Sequence, residues 1–206
     1  MRRIELGFIY RIIALQLLFL FGVADVTNAQ ELIDDNETKT KYELSSSKPG
    51  VVLKTIDYKM ASLNSDILRD AKTKISVLKS ESEGVEVSAY FYLITIVGKN
   101  SSRIAAIEYS DLLRLLDAIK KLKEEEDTDV TSKPDYLENK YITSDNFKVG
   151  YIIKNGMYDK GKSTWYISQG RFYDLDEGMI LRSINDFEQS LENAKKKIDE
   201  LKTILE

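Results

Sequence analysis

Apolar residues in this chain recur in two rhythms: every second position in several short stretches, and every third or fourth in two long ones. In residues 51–60, Val52, Ile56, Tyr58 and Met60 fall on one parity, which predicts a strand. Residues 72–80 carry Ile75, Val77 and Leu78 and read as a second strand. Residues 85–97 give the strongest strand pattern. Their odd positions are apolar or Thr, and their even positions begin polar and become Tyr90, Tyr92, Ile94 and Ile96, so both faces of the second half are expected to be covered. After the turn residues Lys99-Asn100-Ser101-Ser102, residues 103–109 read as a fourth strand. Ser110 is placed to cap a helix with Leu112, Leu116 and Ile119 on one face, flanked by Leu115 and Leu122.

The same order follows again. Strands are expected at 137–143, 147–154, 163–168 and 179–183. Asn185 is the expected cap of a helix over 186–205, with Glu188 in the capping-box position. A shift of 75 residues places Ser110 on Asn185, Leu112 on Phe187, Leu116 on Leu191 and Ile119 on Ala194. The expected fold class is α+β: two tandem β-β-β-β-α units whose antiparallel sheets are each packed by one helix. The first unit spans 51–126 and the second 137–206, joined by a polar linker, 127–136, around Pro134. Glu124, Glu125, Glu126, Asp127 and Asp129 place negative charge at the end of the first helix, against its dipole, and predict fraying there. The last helix has a seam of Phe187, Leu191, Ala194, Ile198, Leu201 and Leu205. The seam is shorter than three heptads, so packing on its own sheet is expected, with self-association through helix 186–205 as the alternative.

The start of the chain changes the compartment. Arg2, Arg3 and Arg11 face a single acid, Glu5, and an apolar run from Ile12 to Ala24 follows, interrupted only by Gln16. Asp25-Val26-Thr27-Asn28-Ala29 then offers a small residue for cleavage. This is the order of a secretory signal over residues 1–29. The 13-residue run is short of the ~20 a spanning helix needs, and extending it backwards would bury Arg11 in hydrocarbon. The mature chain is thus expected in the periplasm or the medium after cleavage near Ala29, without a transmembrane segment. Residues 30–50, polar and ending in Pro49-Gly50, read as a flexible spacer.

Composition narrows the chemistry. The chain has 30 basic and 34 acidic residues, three and two of which lie in the signal, leaving 27 against 32 and a net charge of −5. That balance speaks against nucleic acid, whose binding rests on basic surface. The chain has no cysteine and no histidine. Disulfides, Ser-His-Asp and Cys-His nucleophile systems and the usual zinc sites are therefore excluded. No catalytic residue, metal site or cofactor is assigned.

Gly156-Met157-Tyr158-Asp159-Lys160-Gly161-Lys162-Ser163 matches the phosphate-binding loop pattern. That chemistry needs a helix to follow, whereas Thr164-Trp165-Tyr166-Ile167 is β-branched and aromatic, so a hairpin loop is expected. Asp174, Asp176 and Glu177 begin a calcium-loop rhythm, but Asn185 stands where its closing Glu should be. Asn36-Glu37-Thr38 and Asn100-Ser101-Ser102 match the glycosylation acceptor pattern. The aromatic strand residues Tyr90, Tyr92, Tyr151 and Trp165 are the candidate ligand-binding residues. Exposed on a sheet face they would stack sugars, peptides or bases; turned inward they are core.

The tandem β-β-β-β-α layout over 51–206 resembles the Whirly and PUR-alpha-like fold. That resemblance implies two four-stranded antiparallel sheets, each backed by a helix, and sheets that bind single-stranded nucleic acid. The acidic charge and the export signal oppose carrying the binding over. In character the chain also resembles small exported bacterial proteins of unassigned role. The expected function is an exported, non-catalytic binding or assembly module for an unknown protein or glycan partner. The alternatives are a carboxylate-dependent enzyme acting on extracytoplasmic glycan and PUR-like binding of single-stranded nucleic acid.

Overall fold

The computed structural model describes residues 39–64, 70–82, 84–97, 102–155, 161–169 and 178–205. The expected export signal, both glycosylation patterns and Asp174, Asp176 and Glu177 lie outside the described residues.

Two four-stranded antiparallel meanders are each followed by a long helix. After a short helix α1 (Lys41–Ser46), the first sheet comprises β1 (Val52–Lys59), β2 (Ala71–Ser82), β3 (Val85–Val97) and β4 (Ser102–Glu108), in that spatial order. Helix α2 (Tyr109–Thr131) leads to the second sheet: β5 (Tyr136–Ile142), β6 (Phe147–Lys154), β7 (Ser163–Gln169) and β8 (Gly178–Ile180). Helix α3 (Ile184–Leu205) closes the order. The α+β class and the two similar units are as the periodicity predicted. Among the described residues, no helix is long and apolar enough to cross a membrane.

Alternation assigns the faces. In β2 and β3, Ile75, Val77, Tyr90, Tyr92, Ile94 and Ile96 turn inward and are buried. Phe91 and Leu93 turn outward and are also buried, so both faces of the second half of β3 are covered, as expected. In the second sheet Phe147, Val149, Tyr151, Ile153, Trp165 and Ile167 turn inward. Gly150, on β6, is set by close approach: a Cβ there would lie 2.3 Å from the Asn139 carbonyl oxygen and 2.7 Å from Lys140 Cβ on β5.

Each sheet is packed by one helix, but the helices are exchanged between units. Tyr92 of β3 hydrogen-bonds Ser190 of α3 at 2.6 Å, and Lys197 and Lys202 of α3 sit 5.7 and 5.4 Å from the ring centres of Tyr58 and Tyr90. Thus α3 lies on the first sheet, and its start reaches Phe147 of β6 through Phe187. In turn α2 lies on β5 and β6 of the second sheet, while also touching β3 and β4 of the first. The expected seat of the last helix on its own sheet is corrected accordingly. Its seam, Phe187, Leu191, Ala194, Ile198 and Leu201, is buried inside the chain, and both units share one apolar core.

Four local expectations also change. Helix α2 begins at Tyr109 rather than after Ser110, with Glu108 at the N-cap position making no side-chain cap. Ser183, not Asn185, caps α3: its Oγ accepts the Asp186 N–H at 3.4 Å. The acidic end of α2 stays helical to Thr131, because donors on the second sheet satisfy its carboxylates, so the polar linker shrinks to the few residues before β5. Lys133, at φ 51°, makes the left-handed exit ahead of Pro134. Within the expected spacer, α1 forms under a Thr40–Glu43 capping box.

Candidate functional site

Tyr90, Tyr92, Tyr151 and Trp165 are between 0 and 7% exposed and face the helices. A stacking platform on a sheet face is therefore not formed by these four rings. They are divided between the two sheets, and the 75-residue shift that relates the helices also carries Tyr90 onto Trp165. Tyr151 and Trp165 pack together with ring centres 4.9 Å apart. Burial, because aromatic bodies carry large apolar area, wins over display here.

Their polar ends reach the last turns of α2. The Tyr151 hydroxyl donates to Asp129 at 2.6 Å, and Trp165 Nε1 donates to Glu126 at 2.9 Å, an oxygen that also accepts from Ser163. Asn139 donates to Glu125 at 2.7 Å and to the Tyr151 oxygen at 3.2 Å. Burial first, and then the bond to Asp129, push the Tyr151 hydroxyl well above its ordinary range. These carboxylates are engaged as acceptors that anchor a helix end.

A second polar cluster ties α1 down. Lys41 Nζ lies 2.6 Å from Glu108 and 3.0 Å from Asp111, its backbone N–H donates to Asp145 at 3.2 Å, and Ser144 donates to Asp111 at 2.8 Å. Burial raises the Asp145 carboxyl above its ordinary value, with Asp111 and Glu108 adding to the rise and Lys41 opposing it. Next to this clasp, Tyr42 meets Phe91 edge-on at 5.2 Å and covers an outward strip of Leu78, Phe91, Leu93 and Ala106. Among the described residues, no group of three or more Asp or Glu side chains is placed to hold a metal ion. At the phosphate-loop match, Ser163 opens strand β7, so the helix that such a loop needs is absent after Lys162.

What the first sheet leaves open is the far end of its longest hairpin. Strand β3 pairs with β2 along its whole length, from Val85 opposite Ser82 to Ile96 opposite Ala71. With β4 it pairs only from Phe91, opposite Glu108, onward. Residues 85–89 therefore have no described partner strand on the β4 side. Gly84, at φ 79°, supplies the left-handed residue of the tight turn that ends the hairpin. On the outer face, Val85 and Val87 are 63 and 58% exposed, and Ala89 continues them toward the strip beneath Tyr42. On the inner face, Lys79 bonds Glu86 at 2.5 Å and the Leu205 carbonyl at 3.1 Å, fixing the hairpin to the end of α3. Beside it lies a shallow groove of about 260 Å³ lined by Val52, Lys54, Glu81 and Leu205.

An edge strand with free backbone groups and exposed β-branched side chains is a template for another strand. Sequence reading had the signal for this site, the alternation Val85-Glu86-Val87-Ser88-Ala89, but alternation does not reveal where a neighbouring strand stops. Two similar β-β-β-β-α units with exchanged helices thus carry an apolar edge that no strand among the described residues covers. Comparison of this chain with protein-family models, with curated proteins and with solved structures found no match.

Proposed function

We propose that this protein is an exported, non-catalytic binding or assembly module that takes a partner strand along the β3 edge at residues 85–89. The observation that carries this reading is that edge: five residues beyond the reach of β4, ending in two exposed valines. Backbone pairing supplies the affinity of such a contact, and the pockets for alternate side chains its selectivity. Export rests on the signal pattern of residues 1–29. The non-catalytic part rests on the lack of His and Cys and on carboxylates already engaged by Lys41, Asn139, Tyr151 and Trp165. The inward turn of the aromatic rings favours a protein partner over a glycan. The layout remains similar to Whirly and PUR-alpha-like proteins, but the acidic balance argues for a partner other than nucleic acid.

The test is a photo-crosslinker placed at Val87 in the producing cell. A defined adduct in the envelope or medium is expected, and it should vanish when Val85→Lys is added in the same chain. Adducts indifferent to Val85→Lys would overturn the edge as the binding site. Turnover on a glycan panel, lost on replacing a carboxylate pair, would overturn the non-catalytic reading.

A further inference from the structure

We infer that the partner strand is a second copy of this chain, paired antiparallel to β3 about a two-fold axis through Val87. This rests on the reading of residues 85–89 as a binding edge and names its occupant. A two-fold axis normal to the sheet keeps the outer faces of both copies on one side, so opposed residues share a face. Centred on Val87, that operation sets Val87 against Val87, Val85 against Ala89 and Glu86 against Ser88. The exposed valines meet apolar partners on the outer face.

Neighbouring registers fail on named residues. Centring on Glu86 opposes two carboxylates directly, which is destabilising. Centring on Ser88 sets Val85 against Phe91, whose edge Glu108 of β4 already occupies. The Val87 register also sets Gly84, which has no side chain and open space around its Cβ position, against Tyr90. It leaves the bond from Glu86 to Lys79 intact, because Ser88 brings no competing charge. The outer apolar strip then runs across both copies. On β1, the other edge of the first sheet, Lys54, Asp57 and Lys59 follow Val52 and supply the usual charged guard against unwanted pairing.

The chain has no cysteine, so an introduced thiol is unique. In the purified full chain, Val87→Cys joins two copies through a short bis-maleimide or by oxidation. Val52→Cys, 73% exposed on β1 and two strands away from β3, is the comparison. Pairing raises the effective concentration of the two thiols, so Val87→Cys should crosslink at least about tenfold faster than Val52→Cys at equal protein concentration. Adding Ala89→Lys should return the rate to that of Val52→Cys. Sedimentation of the unmodified chain should show a concentration-dependent dimer that Val87→Lys, at an exposed site compatible with folding, converts to monomer. Equal crosslinking rates, or a monomer at every concentration, overturn the second copy as occupant. If Val87 captures a different protein while the purified chain stays monomeric, the second copy falls and the binding edge stands.

Discussion

The two helix seats are built differently. Helix α3 meets the first sheet through a continuous apolar stripe, a neutral hydrogen bond between Tyr92 and Ser190, and lysines over tyrosine rings: Lys197 lies 5.7 Å from the Tyr58 ring centre and Lys202 5.4 Å from that of Tyr90, and Lys202 also lies 3.6 Å from the ring centre of Tyr109 at the start of α2. Helix α2 meets the second sheet through leucines in its first half and through carboxylates at its end, gripped by Asn139, Tyr151, Ser163 and Trp165. Strands β2 and β3, of 12 and 13 residues, outrun the seven-residue β4, and that surplus is where the open edge arises. Similar units thus share apolar packing and differ in how their margins are finished.

The largest effect should come from undoing the exchange. A chain ended at Ser183 loses α3 and exposes Tyr90 and Tyr92, so a cooperative melt of the first sheet is expected to disappear, followed by near-ultraviolet circular dichroism. A retained melt would mean that the first sheet is held by its own unit. Next come Leu116→Ala and Leu191→Ala, 75 residues apart and buried to 4 and 0% exposure. Each should cost about 2–5 kcal/mol in urea unfolding, as cavity-forming core substitutions do. A neutral outcome at either position would break the equivalence of the seats.

The sequence carried the eight strands and both helices because each has a face to bury. The alternation of Ile75 and Val77 and the 3.6-residue stripe of α3 report that directly. It did not carry the exchange of helices, since an apolar stripe fits either sheet and only the connection geometry decides. The acidic end of α2 misled for a related reason. Helix-dipole reasoning sees Glu125, Glu126 and Asp129 but not donors 10 to 40 positions away, such as Asn139 and Trp165. The aromatic candidates were legible as strand residues, while their orientation was set by which face the helices cover. The open edge was least legible, because it depends on where β4 stops rather than on what β3 contains.

A smaller effect separates the seats by their polar bonds. Tyr151→Phe leaves the half-buried Asp129 carboxylate with one weak donor among the described residues, Asn139 at 3.4 Å, and should cost about 1.5–3 kcal/mol, the range for a hydrogen bond to a charged group. Tyr92→Phe removes a neutral bond to Ser190 and should cost about 0.5–1.5 kcal/mol. Equal losses would show that the carboxylate grip adds nothing to the second seat beyond an ordinary hydrogen bond.

The smallest effect is a pH signature of α3 where it meets the start of α2. Tyr109 donates to Asp199 at 2.5 Å, and this bond first, with burial second, pushes the tyrosine from 10.0 up to about 12. The same bond, against some burial and with Lys195 helping, holds the Asp199 carboxyl below its ordinary 3.8. The signs follow from linkage. The tyrosine's contribution is complete below pH 10 and is lost as pH rises through about 12. The carboxylate's contribution is present above its ordinary value and is lost as pH falls through the lowered one. The stability advantage of the native chain over Tyr109→Phe should therefore be flat between about pH 5 and pH 9 and shrink at both ends. An advantage that does not change with pH would mean that Tyr109 acts through its ring under Lys202 rather than through its hydroxyl, leaving the neutral Tyr92–Ser190 bond and cation–π contacts as the polar part of the α3 seat.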